Sequence, residues 1–183
     1  MLPCRLIPLT DGFGQGRREV SGVIVRVTEE HIVQCTRLIR ESFATVAAAF
    51  GFTPDNAPGF TAFATTDARL RHQLLEEQRP MYAYFHGSMM VGYYSLQPGS
   101  GRRCELNNLC VHPAHRHEGI GGELLRHAFQ TAQALDCQTI AIGIVEENQL
   151  LRKWYESFGF VHTGTKKFPA FPFTCGFLQK ELT

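Results

Sequence analysis

The segment from Leu109 to Leu125 gathers the residues best suited to chemistry. An apolar strand, Leu109-Cys110-Val111, runs into the polar turn His112-Pro113-Ala114-His115-Arg116-His117-Glu118. Gly119, Gly121 and Gly122 then open an amphipathic helix around Ile120. Glycine lets a backbone approach a ligand closely, and the first N–H groups of a helix lack intrahelical partners and attract anions. The spacing Arg-x-x-Gly-x-Gly, set directly after a strand and a proline, reads as a phosphate cradle. A Rossmann-type dinucleotide site fits less well, because the cradle lies mid-chain and the acid about 20 residues beyond it is Asp136, at a helix end.

Two further groups accompany the cradle. In Asn148-Gln149-Leu150-Leu151-Arg152-Lys153-Trp154-Tyr155-Glu156-Ser157-Phe158-Gly159-Phe160, two helical turns separate Asn148 from Tyr155 and put both on one face with Leu151 between them. Trp154 and Phe158 share another face and read as core anchors. Upstream of the cradle, Cys104-Glu105-Leu106-Asn107-Asn108 leads into the strand. Strict alternation places Glu105, Asn107, Leu109 and Val111 on one side of it. A bulge near Asn107-Asn108 would change that parity, splay the strand and open a cleft.

Together, the Arg116-to-Gly122 loop and the Asn148-to-Phe160 segment resemble the two signatures of the GNAT superfamily of N-acetyltransferases, and the resemblance spans about Gly22 to Leu182. It implies an α+β fold with a twisted, mostly antiparallel mixed sheet flanked by helices on both faces. It also implies acetyl-coenzyme A as co-substrate, its pyrophosphate held by the amides of Arg116, His117, Glu118, Gly119, Ile120, Gly121 and Gly122. Leu109, Cys110 and Val111 would bind pantetheine as an added strand and donate an N–H to the thioester oxygen. Asn148, with Leu151 beside it, would approach the pantetheine arm and Tyr155 the sulfur. His117 stands where the family usually has glycine, a harmless departure provided its dihedrals are not left-handed.

The implied chemistry suits these side chains. An amine attacking a thioester expels a thiolate, whose parent thiol has a pKa of roughly 8.5 if it behaves like cysteine. A phenol of pKa about 10 stays protonated near neutrality and can donate to that sulfur. A lysine-like amine, with a pKa of about 10.4, must first lose a proton. Glu105 is the expected base and His112 its rival. Cys110 reads as a small core residue, not an acyl carrier. The acceptor pocket falls on Phe43 to Phe63 and on Lys166 to Phe173, where the aromatic density also fits a plain hydrophobic seal.

The expected order of elements is a strand at Gly22–Val27 and a helix begun at Thr28 and stopped by Gly51. A loop through Thr66 and a helix to about Gln78 follow. A hairpin of Met81–Phe85 with Met89–Leu96 leads to a strand at Cys104–Val111 and a helix from Gly119 to Leu135, whose stripe is Ile120, Leu124, Leu125, Ala128, Phe129, Ala132 and Leu135. The wholly apolar Thr139–Val145 is a central strand. A helix over Asn148–Phe158, capped at Gly159, precedes the closing strands Val161–Phe168 and Cys175–Leu182. Residues 1–21 read as an arm before a domain at 22–183.

Bulk properties narrow the function. A formal net charge of +1 and a pI of about 7.7 leave no electrostatic footprint for nucleic acid. The longest apolar runs are too short for a bilayer, and Met1 to Leu9 lacks the core of a signal peptide, so a cytoplasmic protein is expected. The six cysteines form no Cys-x-x-Cys pair, and His112, His115 and His117 read as a solvated turn, so no metal is expected. The leading reading is an acyltransferase that acetylates a primary amine of a small molecule by direct transfer. A peptide or protein N-terminal or lysine acetyltransferase, a non-catalytic acyl-coenzyme A module and a homodimer stay open.

Overall fold

Residues 22–182 are described by a computed structural model, and the arm expected over 1–21 lies outside them. The strands are β1 (Val23–Arg26), β2 (Met81–His86), β3 (Met89–Pro98), β4 (Arg103–Val111), β5 (Thr139–Val145), β6 (Val161–Lys167) and β7 (Thr174–Glu181). The helices are α1 (Ile32–Phe50), α2 (Thr61–Ala64), α3 (Asp67–Leu75), α4 (Ile120–Ala134) and α5 (Gln149–Ser157). One sheet runs in the order β1-β2-β3-β4-β5-β7-β6, and only its central β4–β5 pair is parallel.

Local chemistry sets most boundaries where the sequence places them. Thr28 starts the first helical segment, its main-chain N–H donating to His31 Nδ1 at 3.1 Å. Gly51 ends α1 and Gly159 follows α5, both left-handed. The Thr66 hydroxyl accepts from Arg69 N–H at 3.2 Å and caps α3. Two expectations fail. The stretch expected to be all loop contains α2, whose Ala62 packs with Phe52 and Phe60; tertiary burial overrides a Pro- and Gly-rich local signal. Leu135 is 43% exposed because the helix ends beside it, which takes it off the buried stripe.

The sheet separates two cores. On one face, Ile120, Leu124, Leu125 and Ala128 of α4 and Tyr155 of α5 cover Leu106, Ile140, Ile142 and Leu178. On the other, Ile32, Cys35 and Ile39 of α1 and Leu70 of α3 cover Met81, Ala83, Tyr93 and Cys110. A third, mostly aromatic cluster joins the end of α1 to Val145 of β5 and Phe173.

Burial raises several ionisations in these cores. The thiols of Cys35, Cys104 and Cys110 are each pushed up from 9.0 to about 12, chiefly by desolvation. A group whose folded pKa exceeds its unfolded value contributes its stability fully below the unfolded pKa and loses it as pH rises through the folded one. Melting temperature should therefore hold steady up to pH about 8.5 and fall toward pH 11, and serine at Cys35 should flatten part of that fall. A melting temperature independent of pH across that window would contradict the buried-thiol account.

Candidate active site

The site begins where β4 and β5 part. They pair at three positions only, Arg103↔Thr139, Cys104↔Ile140 and Glu105↔Ala141. Beyond them, β4 from Leu106 to Val111 pairs with β3 alone among the described residues. Between the pairs Ser95↔Asn107 and Tyr93↔Cys110, β4 carries one more residue than β3, and Asn108 absorbs it at φ 53°. Asparagine tolerates that left-handed conformation better than most residues.

The bulge corrects the parity read from strict alternation. Cys104 and Leu106 belong to the core beneath α4, and Leu109 and Val111 pack against that same core; Cys110 faces α1. Glu105 and Asn107 therefore do not share a face with Leu109 and Val111. Glu105 is exposed in a cleft of about 390 Å³ on the opposite face, lined also by Gln97, Ala141, Gly143 and Phe177.

The loop read as a cradle follows the end of β4. His112 N–H donates to Val91 O at 2.8 Å, which fixes where the chain leaves the sheet. The Arg116 guanidinium donates to Ser42 O at 2.9 Å and Val111 O at 3.3 Å, tying the loop to α1 and to β4. This side chain is thus a brace, and Ser42 is a participant with no signal in the sequence. His117 sits at φ 66°, so the family's glycine position is left-handed here and its histidine carries a modest backbone strain. Gly119, at φ 87°, is the N-cap of α4. The N–H groups of His117, Glu118, Gly119, Ile120 and Gly121 donate to no acceptor among the described residues. That array of open donors fits a diphosphate.

The three glycines divide their roles. A Cβ at Gly119 would meet nothing within 4 Å, so its requirement is backbone conformation. A Cβ at Gly121 would lie 3.5 Å from Trp154, and one at Gly122 would lie 3.3 Å from Phe158. Those two glycines let α4 approach α5, a packing role for their missing side chains; the Gly121 N–H stays among the open donors, whereas the Gly122 N–H donates to Gly119 O at 3.0 Å.

On α5, Asn148 accepts the Leu151 N–H on Oδ1 at 3.1 Å and caps the helix, which leaves Nδ2 as a donor with no partner among the described residues. Tyr155 is buried against Trp154 and Phe160, at ring distances of 4.8 and 5.3 Å. Its hydroxyl has no hydrogen-bond partner among the described residues. Burial, and then the neighbouring Cys110, push its ionisation well above the usual phenol range. The Cys110 thiol, raised to about 12 by burial and lowered only in part by Ser42 and Arg116, is a poor nucleophile. His112 accepts the Ala114 N–H on Nδ1 at 3.2 Å, which leaves its proton on Nε2, 3.6 Å from Glu41. Nδ1 serves the turn and Nε2 faces Glu41 of α1, which weakens its claim as a base.

The aromatic segments form a seal. Phe52, Phe60 and Phe173 are buried, with Phe52 4.8 Å from Phe173 and 5.1 Å from Phe60 by ring centroids. Phe171 stacks on Phe173 at 5.0 Å. These rings pack against one another, and the Glu105 cleft is an open approach to the parted strands from this face.

A parted parallel strand pair leading into a donor-lined cradle defines the fold and site of an acyl-coenzyme A-dependent acetyltransferase. A profile of the Acetyltransferase (GNAT) family matches residues 46–160, and the chain belongs to that family. An uncharacterized N-acetyltransferase of Mycobacterium tuberculosis is 26% identical over 63% of this chain and 74% of its own length. A thialysine N-epsilon-acetyltransferase of Sus scrofa is 26% identical over 48% of this chain and 54% of its own. Among solved structures, the PaiA N-acetyltransferase of Thermoplasma acidophilum in complex with coenzyme A aligns with a TM-score of 0.75 at 17% identity, covering 88% of this chain and 99% of that one.

The division among the glycines is testable. Gly119→Ala forces a side chain into left-handed backbone at a cost of about 1–2 kcal/mol and should weaken coenzyme A binding about tenfold in calorimetry. Gly121→Ala adds only an ordinary contact to Trp154 and should leave affinity and melting temperature near those of the parent. Equal losses in the two variants would contradict the assignment.

Proposed function

We propose that the chain transfers an acetyl group from acetyl-coenzyme A to a primary amine of a small molecule, directly and within a ternary complex. The observation that carries this reading is the unpaired edge of β4 from Leu106 to Val111, which ends in the open amides of the cradle. Tyr155 lies on one side of that edge and Glu105 on the other.

A pantetheine arm laid along the edge recovers main-chain hydrogen bonds that β4 otherwise makes to water. Leu109, Cys110 and Val111 would hold it, with Asn148 Nδ2 and Leu151 on the far wall. The pyrophosphate falls on the open amides from His117 to Gly121, whose donors carry no net charge; the Arg116 and Gly122 N–H groups, expected to join them, already donate to Pro113 O and Gly119 O. A strand N–H at the bulge polarises the thioester oxygen. The amine nitrogen then bonds to the carbonyl carbon while the carbon–sulfur bond breaks. Tyr155, held protonated by burial, stands ready to give its proton to the departing sulfur. Glu105, exposed in the cleft, accepts the proton lost by the amine, directly or through water. The inert Cys110 thiol favours direct transfer over an acyl-enzyme. The relative named for thialysine supports a small amine as acceptor.

Thiol release from acetyl-coenzyme A, followed against polyamines, aminoglycosides, amino acids and peptides, tests the reading. Turnover with small amines is expected. Turnover with peptides alone would shift the acceptor class, and coenzyme A binding without turnover for any amine would leave a binding module. Tyr155→Phe should lower kcat about 100-fold with coenzyme A affinity nearly unchanged, and an unaltered kcat would remove the hydroxyl from the mechanism. Glu105→Gln should displace the rising limb of the pH–rate profile, whereas an unmoved limb would remove Glu105 as the base.

A further inference from the structure

The turn before the cradle carries a second chemistry that the acetyl-transfer reading does not use. His86 at the end of β2 converges with His115 and Glu118, three residues apart in the turn that follows β4. One ligand atom from each lies within 4.8 Å of the other two. We infer that these three side chains form a binding site for a divalent transition-metal ion of the zinc class.

Zinc holds nitrogen and oxygen ligands at about 2.0–2.2 Å in tetrahedral geometry, which places neighbouring ligand atoms roughly 3.3–3.5 Å apart. His115 Nδ1 and Glu118 Oε2 already stand 3.3 Å apart. The His86 and His115 rings are 5.8 Å apart by centroids, and the three ligand atoms, within 4.8 Å of one another, must draw closer around an ion. Two imidazoles and one carboxylate suit zinc better than magnesium or calcium, which prefer oxygen donors. The positions are also mechanically suitable. The turn fixes His115, whose N–H donates to His112 O at 2.9 Å, and its side chain is only 20% exposed. His86 and Glu118 are exposed, which leaves both free to close and gives an ion a way in. His112, 5.9 Å from His115 by ring centroids, stays outside the converging set, its Nδ1 accepting from Ala114 N–H and its Nε2 facing Glu41.

The site revises the reading of the turn's three histidines as merely solvated. Only one of the three belongs to it, and its partner His86 comes from a hairpin about thirty residues upstream, beyond any local ligand spacing. An ion here would tether that hairpin to the cradle and neutralise the acid nearest the diphosphate. The inference does not rest on the cofactor assignment, and its test omits coenzyme A.

Chelator-treated, tag-free full-length protein is titrated with zinc chloride by calorimetry, and with cobalt(II) for visible absorption. One ion per chain is expected, with the strong visible bands of tetrahedral cobalt. His86→Ala and Glu118→Gln, both at exposed positions, should each weaken zinc at least about tenfold. His72→Ala, at an exposed histidine paired with Glu77, should change nothing. Absence of zinc binding, or binding that survives both the His86 and Glu118 substitutions, would overturn the site.

Discussion

One surplus residue in β4 organises this protein. Asn108 takes it up in a left-handed conformation, and the pairing of β4 with β5 stops three residues into the strand. Backbone N–H and C=O groups need partners, and a sheet interior normally supplies them on both sides. Here the centre of a seven-stranded sheet carries an edge. Edge strands accept extended ligands through main-chain hydrogen bonds. A β-strand-like arm of a co-substrate can therefore dock in the middle of the molecule, with the α4–α5 core on one face and the open Glu105 cleft on the other.

The bulge also decides which side chains meet at the gap. It turns Leu109 and Val111 toward α4 and α5 and Cys110 toward α1. Tyr155 and Glu105 consequently reach the gap from opposite faces in unlike surroundings. The tyrosine is buried and held neutral, whereas the glutamate lies open to water in a cleft. In the proposed mechanism, that burial would keep the proton on Tyr155 until transfer. The aromatic cluster around Phe52, Phe60 and Phe173 closes the neighbouring approach on the face bearing Glu105.

Arg116 holds the cradle to this frame. Its guanidinium spans the last carbonyl of β4 and the Ser42 carbonyl of α1, so strand end, loop and helix move together. A fork of fixed donors suits that duty better than a flexible ammonium. With the arginine so engaged, the open donors of the loop are main-chain N–H groups, fixed by the backbone. Glycine serves there twice over. Gly119 supplies backbone conformation, while Gly121 and Gly122 let α4 sit against Trp154 and Phe158.

What the sequence determined by itself is local. Thr66 capping α3, Gly51 and Gly159 as left-handed stops, the alternating strands and the donor-rich loop after Val111 all follow from interactions within a few residues, and the structure places them where they were expected. The family was legible for the same reason, since its two signatures are contiguous stretches. Tertiary structure alone decided what depends on partners far apart in the chain. The register of β3 against β4 located the bulge and reversed the parity expected of Glu105. Packing of Ala62 with Phe52 and Phe60 drew a helix from a stretch rich in proline and glycine. Ser42 became the anchor of Arg116, and His86 the neighbour of His115, across separations that no periodicity encodes. Short-range preferences are written in the order of residues, whereas register and convergence are settled only when the whole chain finds its lowest free energy.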